Sequence, residues 1–327
     1  MNIARFLAGC TLALSALGAL SQAPAAWAAG YPDRQVRLIV PTSPGSTADV
    51  VARVVAENLG KQLGQPMVVE NLSGAAGIPG TRQLVSARPD GYTLAIVSSN
   101  HAINPSLYRS MPYDSQRDVT PISVIGTTPL VLVVAKDSPY RTAADLLKAA
   151  KAEPGKINYG SSGTGSVLHL AGELLKSKAG VDMVHIPYRG GSALVTDVMS
   201  GQVQTAFLAV PSVIAQIQAG QLRALAVSTD KRVPVLPDVP TLAESGVGDY
   251  AYDAWIALIG PAGLPADIVQ KLQAATQQAM RDKTVLNTLG PQGFVAMGGT
   301  SEQAAGTLSA EIAKTRSLVT AAGITPE

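Results

Sequence analysis

R-L-I-V-P-T-S-P-G-S-T-A-D-V-V, from Arg37 to Val51, passes from an apolar strand through a loop of hydroxyls and glycine into an amphipathic helix. I-N-Y-G-S-S-G-T-G-S-V-L-H-L, from Ile157 to Leu170, repeats that grammar later in the chain. Each loop carries hydroxyls and unpaired backbone N–H groups to a helix N-terminus, where aligned peptide dipoles favour negative charge. An anion can be held there without a cationic side chain. Two such cradles predict two lobes that close on one small acidic ligand.

Strand-like and helix-like segments alternate outward from these two stretches. Strands are expected at Val36–Pro41, Met67–Asn71, Thr93–Ser98, Leu130–Ala135, Ile157–Gly160, Met183–Pro187, Val203–Ala209, Leu222–Ser228 and Ala254–Ile259. Between them, Val50, Val51, Val54, Val55 and Leu59 keep one apolar helical face, as do Leu168, Ala171, Leu174 and Leu175, and Leu194, Val195, Val198 and Met199. Alternating βα units predict an α/β fold with mostly parallel sheets covered by helices on both faces. In such sheets ligands sit at the carboxyl ends of the strands, where the Ser/Thr/Gly loops fall. The runs Leu130–Pro139 and Trp255–Pro265 are alike, each an apolar strand followed by a Pro/Gly turn. They are expected to be the two crossings between lobes, with the helices after Pro265 returning to the first lobe. Val233–Pro240 is a rigid extended connection. No repeat is visible in the sequence itself.

Residues 1–28 have the pattern of a secretory signal. Arg5 is the only charge before Asp33, Phe6 to Leu20 is apolar or small, and Ala26-Trp27-Ala28 fits the cleavage site. Leu7-Ala8-Gly9-Cys10 resembles a lipoprotein box but has too short an apolar run before it. Cleavage near Ala28 leaves about 300 residues, enough for two lobes, and removes Cys10, the one cysteine. Export without disulfides fits the periplasm. The net charge of +2 shows no basic cluster, and aromatics make up 4% of the chain, so no footprint for nucleic acid or base stacking exists.

The candidate donors of the first loop are Thr42, Ser43, Gly45, Ser46 and Thr47. Ser46 to Asp49 also fits a capping box, so ordinary helix capping accounts for part of this pattern; Asp49 is expected to brace the loop and to point away from an anion. Ser162, Gly163, Thr164, Gly165 and Ser166 offer more polar groups than one cap requires, although turns favour the same residues. H-I-P-Y-R-G-G, His185 to Gly191, places Arg189 near a loop, either as a carboxylate fork or as a solvated arginine. Asn71–Gly80 forms a glycine-lined wall, and Ser98-Ser99-Asn100 ends a strand. No nucleophile elbow, dinucleotide fingerprint or P-loop occurs. His101, His169 and His185 lack ligand spacing, so no metal and no cofactor are expected. A hydrolase using Ser162 or Ser166 with His101 or His169 is the rival from another class.

Taken in order, these segments resemble the Bug-type receptors, the extracytoplasmic solute-binding component of tripartite tricarboxylate transporters. The resemblance runs through Tyr31–Pro41, Pro44–Asp49, Val68–Gly77, Ala87–Leu94, Ala102–Tyr108, Met111–Asp114, Asn158–Leu174, His185–Gly191, Leu236–Gly246 and Trp255–Pro265. It implies a two-lobed periplasmic binding fold of the Venus-flytrap, type II-like kind, each lobe a mixed, mostly parallel sheet flanked by helices. Residues 29–128 with 254–327 would form lobe 1, and 129–253 lobe 2. It further implies a monomer that binds a small mono- or dicarboxylate, without enzymatic activity, for membrane permease subunits or for a sensor kinase. By position the contacts fall on Pro44–Thr47, on Gly74, Ala75, Ala76 and Gly77, on Ser98–Asn100 and on Ser162–Ser166, with Tyr188 and Arg189 flanking the cleft and ordered water at the far end.

Three departures from the family pattern stand out. Ser46 replaces a glycine, Ile78 an asparagine, and Leu208, in A-F-L-A, an acidic residue. Loss of that carboxylate argues against an ammonium-bearing ligand and for an apolar or aromatic diacid. Arg189→Ala and Thr164→Val are expected to weaken carboxylate binding without unfolding the protein; unchanged affinity in both by calorimetry would place the site elsewhere.

Overall fold

The structure, a computed structural model, describes residues 30–188 and 190–326; the expected signal segment 1–28 and Arg189 lie outside the described residues. Aliphatic and β-branched side chains put β1 (Val36–Val40) on a doubly buried pleat, with only Arg37 partly exposed. Gly45, at φ 78°, turns the chain into α1 (Thr47–Leu63). β2 (Met67–Asn71), α2 (Ile78–Val85), β3 (Thr93–Ser98), α3 (Asn100–Leu107) and β4 (Val119–Thr128) follow. After Pro129 come β5 (Leu130–Ala135), α4 (Ala143–Ala152), β6 (Asn158–Ser161), α5 (Val167–Ala179), β7 (Val184–Pro187), α6 (Gly191–Met199), β8 (Thr205–Ala209), α7 (Val210–Gln218) and β9 (Leu222–Val227). The chain ends with β10 (Ala254–Pro261), α8 (Ala266–Ala279), α9 (Lys283–Leu289), β11 (Val295–Ala296) and α10 (Ser301–Ala321).

Two mixed sheets result, one per lobe. The first has the order β11-β4-β10-β3-β1-β2 and the second β7-β6-β8-β5-β9. Within each, four strands run the same way and one inserted strand opposes them, and in the first sheet the two-residue β11 on the edge also runs antiparallel to β4. β10 is antiparallel to both β3 and β4, and β5 is antiparallel to both β8 and β9. Thus the two halves share a topology, first-strand neighbours on one side and an intruding strand on the other, although their sequences show no repeat.

Pleat alternation divides the cores. In lobe 1, Leu38 and Val40 face α1 and α8, while Ile39 faces α2 and α3. In lobe 2, Leu130, Leu132 and Val134 pack under α4 and α5, and Val131 and Val133 pack under α6 and α7. The Pro-rich connection seals that second layer through Val233 and Leu236.

Two strands are missing from the sequence expectations, the two-residue β11 and the ten-residue β4, whose apolar pattern Pro121 and Gly126 interrupt. The sheet tolerates both residues. A register shift accompanies the Ile259–Pro121 pair, and a Cβ at Gly126 would stand 2.3 Å from Val295 O where β11 packs. The expected return of the C-terminal helices is also refined. α8 and α9 join the lobe 1 core, but α10 straddles both: Leu308 packs with lobe 1, Leu318 and Val319 with lobe 2.

Where the chain passes between the sheets, Ala254 pairs with Thr128, so the two crossings lie side by side. Ser228, fully buried, ties them: its Oγ accepts from Leu130 N–H at 3.0 Å and donates to Asp253 Oδ1 at 3.2 Å. Its own N–H donates to Leu130 O at 2.9 Å, and its carbonyl accepts from Tyr252 N–H at 3.0 Å. Burial pushes the Asp253 carboxyl up to about 6, against the opposing effect of that Ser228 bond. Ser228→Ala leaves the Leu130 N–H without its acceptor and is expected to cost about 1–3 kcal/mol of stability, measured as a lowered urea midpoint.

Candidate functional site

The lobe 1 cradle is built around a carboxylate that faces backwards. Ser46 caps α1, its Oγ accepting from Asp49 N–H at 3.3 Å and lying 2.8 Å from Thr42 Oγ1. Asp49, 3% exposed, accepts from Gly45 N–H at 2.8 Å, from Arg53 Nε at 3.1 Å and from Asn71 Nδ2 at 2.9 Å. The capping box is therefore offset by one residue: Ser46 N–H bonds to Ser43 O, and Asp49 reaches Gly45 instead. Desolvation pushes the Asp49 carboxyl up, but the bonds from Arg53, Gly45 and Asn71 outweigh it and hold the group below its ordinary range. With Asp49 turned inward, the N–H groups of Thr47 and Ala48 stand at the mouth of the helix without an acceptor among the described residues.

The lobe 2 cradle is held from behind. Ser166 caps α5, accepting from His169 N–H at 3.2 Å. Ser161 is fully buried; its Oγ accepts from Gly163 N–H at 3.1 Å and lies 2.7 Å from His185 Nε2. Gly165 N–H donates to His169 Nδ1 at 2.9 Å. Positive φ values of 130° at Gly163 and 74° at Gly165 make this path possible. The hydroxyls of Ser162 and Thr164 and the first N–H groups of α5 are left on the open side.

The two cradles face one cleft of about 960 Å³. From lobe 1 its wall includes Thr42, Gly45, Ser46, Thr47, Ala76, Ser98 and Asn100; from lobe 2, Ser162, Gly163, Thr164, Gly165, Ser166 and Leu208. Arg189 lies outside the described residues, and the other expected residues stand off the wall. Ser43, Gly74 and Ala75 are exposed outside the wall. Gly77 packs on Pro41, and Ser99 accepts from Trp255 N–H at 2.9 Å. Tyr188 donates its hydroxyl to Asp197 at 2.6 Å. Gly163 and Gly165 contribute loop shape rather than N–H donors, since both amides are satisfied within the protein. A separate depression of about 600 Å³ beside Arg37 and Arg82 lies outside this cleft and shares none of its lining.

Sequence reasoning missed three helix faces. α3 contributes Ile103, Asn104 and Leu107; α6 contributes Ser192, Val195, Thr196 and Met199; α7 contributes Ser212 and Gln216. Their i, i+3, i+4 spacing was the available signal. On α6 the apolar stripe splits: Leu194 and Val198 enter the core while Val195 and Met199 face the cleft. Among the described residues of the wall, none is Asp, Glu, Lys, Arg or His. The pairs that the rival hydrolase would need are not formed among the described residues. His101 Nε2 lies 2.8 Å from Ser115 O, with burial pushing the imidazole down to about 4, and His169 Nδ1 is committed to Gly165.

Two α/β lobes, each entered by one strand from the other's side of the crossing and facing a donor-lined cleft, define a two-lobed solute-binding protein of the periplasmic type. Comparison with known proteins then fixes the family. The chain belongs to the tripartite tricarboxylate transporter family of receptors, whose model matches residues 51–324. Protein BugT of Bordetella pertussis is 35% identical over 325 residues, covering 99% of each protein. Among solved structures, R. palustris Rpa4515 with adipate is 34% identical with a TM-score of 0.80, over 91% of this chain and 100% of that one. MatC (Rpa3494) from Rhodopseudomonas palustris with bound malate is 28% identical with a TM-score of 0.75, over 88% and 100%.

Because Asp49 is held ionised, its contribution to stability is present above its ordinary 3.8 and lost as pH falls through its lowered value. Asp49→Asn is expected to destabilise the protein by about 1–3 kcal/mol at neutral pH, with the difference from the parent shrinking in acid. Chemical denaturation at about pH 7 and pH 3 measures both.

Proposed function

We propose that this protein is a periplasmic receptor that captures a small carboxylate between its lobes and delivers it to the membrane permease of a tripartite tricarboxylate transporter, without catalysing a reaction. The observation that carries this is the pairing of two helix N-termini, α1 and α5, across a cleft whose described wall offers hydroxyl and N–H donors and no opposing carboxylate. Thr42, Ser46, Thr47, Ser98, Asn100, Ser162, Thr164 and Ser166 are the assigned ligand contacts. The relatives solved with adipate and with malate support a dicarboxylate. Leu168, Val195, Met199 and Leu208 on the lobe 2 wall support one with an apolar body.

Magnitudes favour this economy. Hydrogen bonds to a charged group contribute about 1.5–3 kcal/mol each. Four or five offset an association cost of about 4–15 kcal/mol and leave micromolar affinity, about −8 kcal/mol, within reach. In this proposal lobe 1 comprises residues 29–128 and 254–327 and lobe 2 residues 129–253, with a signal segment removed near Ala28. Ligand stabilises the closed arrangement because only there do both lobes touch it.

A thermal-shift panel of mono- and dicarboxylates is expected to contain at least one that raises the melting temperature, and a panel without one overturns the assignment. Thr164→Val removes one donor and is expected to weaken that ligand by about tenfold, read by calorimetry, with the ligand-free melting temperature unchanged.

A further inference from the structure

Behind the lobe 2 loop lies a group of side chains that ligand contact does not use. His169, 4% exposed, stacks on His185 with ring centroids 3.7 Å apart and planes 12° from parallel. Tyr159 of β6 packs against both rings at 6.3 and 5.1 Å. Each imidazole reaches one peptide of the loop. His169 Nδ1 takes the Gly165 N–H directly, at 2.9 Å, and His185 Nε2 meets Ser161 Oγ, which takes the Gly163 N–H. Since Gly165 donates to Nδ1, that nitrogen carries no proton; the ring's proton sits on Nε2, which faces Glu173 Oε1 at 3.8 Å.

We propose that His169 is a positioning residue for the anion cradle: by accepting the Gly165 N–H it turns the Ser162–Thr164 donors outward into the cleft, with His185 as its stacked support and second anchor. This rests on the carboxylate assignment of the cleft. Other bonds hold the ends of the loop and its Gly163 peptide: Ser166 N–H and Ser161 Oγ both donate to Gly163 O, and Tyr188 N–H donates to Ser161 O. His169 is the acceptor that the described residues offer to the Gly165 N–H. A Cβ at Gly163 or at Gly165 would stand in a positive-φ backbone that side chains rarely adopt, so the two glycines give freedom that the imidazoles remove. Leu107 of α3 presses on the same point, its Cδ1 2.2 Å from where a Gly165 Cβ would be. An unaccepted Gly165 N–H in this buried position would seek another acceptor by rotating its peptide.

A pH dependence follows. A second proton on His169 would occupy Nδ1 and expel the Gly165 N–H. The groups around the pair are Tyr159 on β6, Glu173 and Lys176 on α5, and Asp182, 4.0 Å from Lys176, before β7. Tyr250, on the far side of α5, donates to Ala171 O and stays neutral. Burial is the main force keeping both imidazoles uncharged; it pushes His169 below 6.5 and His185 to about 4, with Glu173 opposing and Lys176 reinforcing the effect. Loop order is therefore retained at neutral pH and lost as pH falls through the lowered His169 value.

The test compares His169→Asn, whose amide oxygen falls near the Nδ1 position and keeps an acceptor, with His169→Leu, which has none. His169→Gln, with its acceptor carried too far, replaces the leucine variant should that one fail to fold. Adipate and malate serve as probes by calorimetry, and exchange of the Gly165 amide is followed by NMR without ligand. The expected result is affinity about tenfold weaker in the leucine or glutamine variant, near-parental affinity in the asparagine variant, and a Gly165 amide protected only where an acceptor remains. Between pH 6.5 and 4 the parent should lose affinity more steeply than His169→Asn. Parental affinity with a protected amide in His169→Leu, an asparagine variant as weak as leucine, or equal acid loss in parent and asparagine variant each overturns the proposal. Should the parent bind neither probe, the assignment of these ligands fails on its own, and the amide exchange still decides the role of His169.

Discussion

β5 and β10 each bond on both edges to strands that run the opposite way, and this double pairing is the constraint on which the molecule depends. A strand held on both edges cannot slide without breaking two ladders. Each inserted strand therefore ties its sheet to the peptide that crosses from the other lobe. Apart from the edge strand β11, the remaining strands of each sheet point one way, so the loops after β1, β3 and β6 collect at one end, and both ends look across the same gap. The cradles oppose each other because of where these two strands are inserted, and nothing in the loops themselves would bring them together.

Much of this was legible because apolar runs at Leu130–Ala135 and Trp255–Ile259 carry no polar interruption, as a doubly buried strand requires. β4 was not, since its Pro121 and Gly126 are locally discouraging and are accepted only through the bulge at Ile259 and the approach of β11. The site divides along a similar line. Hydroxyl-rich loops reveal themselves by composition, whereas the cleft faces of α3, α6 and α7 are ordinary amphipathic spacing until the fold decides which side meets solvent. Asp49 stands off the cleft wall, as its charge suggested, but its partner shifted from Ser46 to Gly45 because the Ser46 amide had already turned to Ser43.

The internal use of donors is the less visible part of the design. Of the groups that make the loops look rich in hydrogen-bonding capacity, several are committed within the protein: Gly45 to Asp49, Gly163 to Ser161, Gly165 to His169 and the Ser99 hydroxyl to Trp255. What remains is a short set of N–H and hydroxyl groups fixed in direction by those commitments. A donor already oriented loses little freedom when an anion arrives, which is where preorganisation improves affinity.

α10 supplies a third link between the lobes, because its first half packs with Leu84 and Val97 and its last turns with Leu170 and Leu175. Between Leu308 and Leu318 it passes the crossing segment, where Lys314 donates to Ala251 O at 3.1 Å and lies over the Tyr252 ring at 4.6 Å. Two adjacent strands alone would let the lobes twist as well as open. A third attachment, offset from the strands and shared by both bodies, resists torsion about the crossing and leaves rotation about a single line, as a door on spaced hinges swings but does not wring.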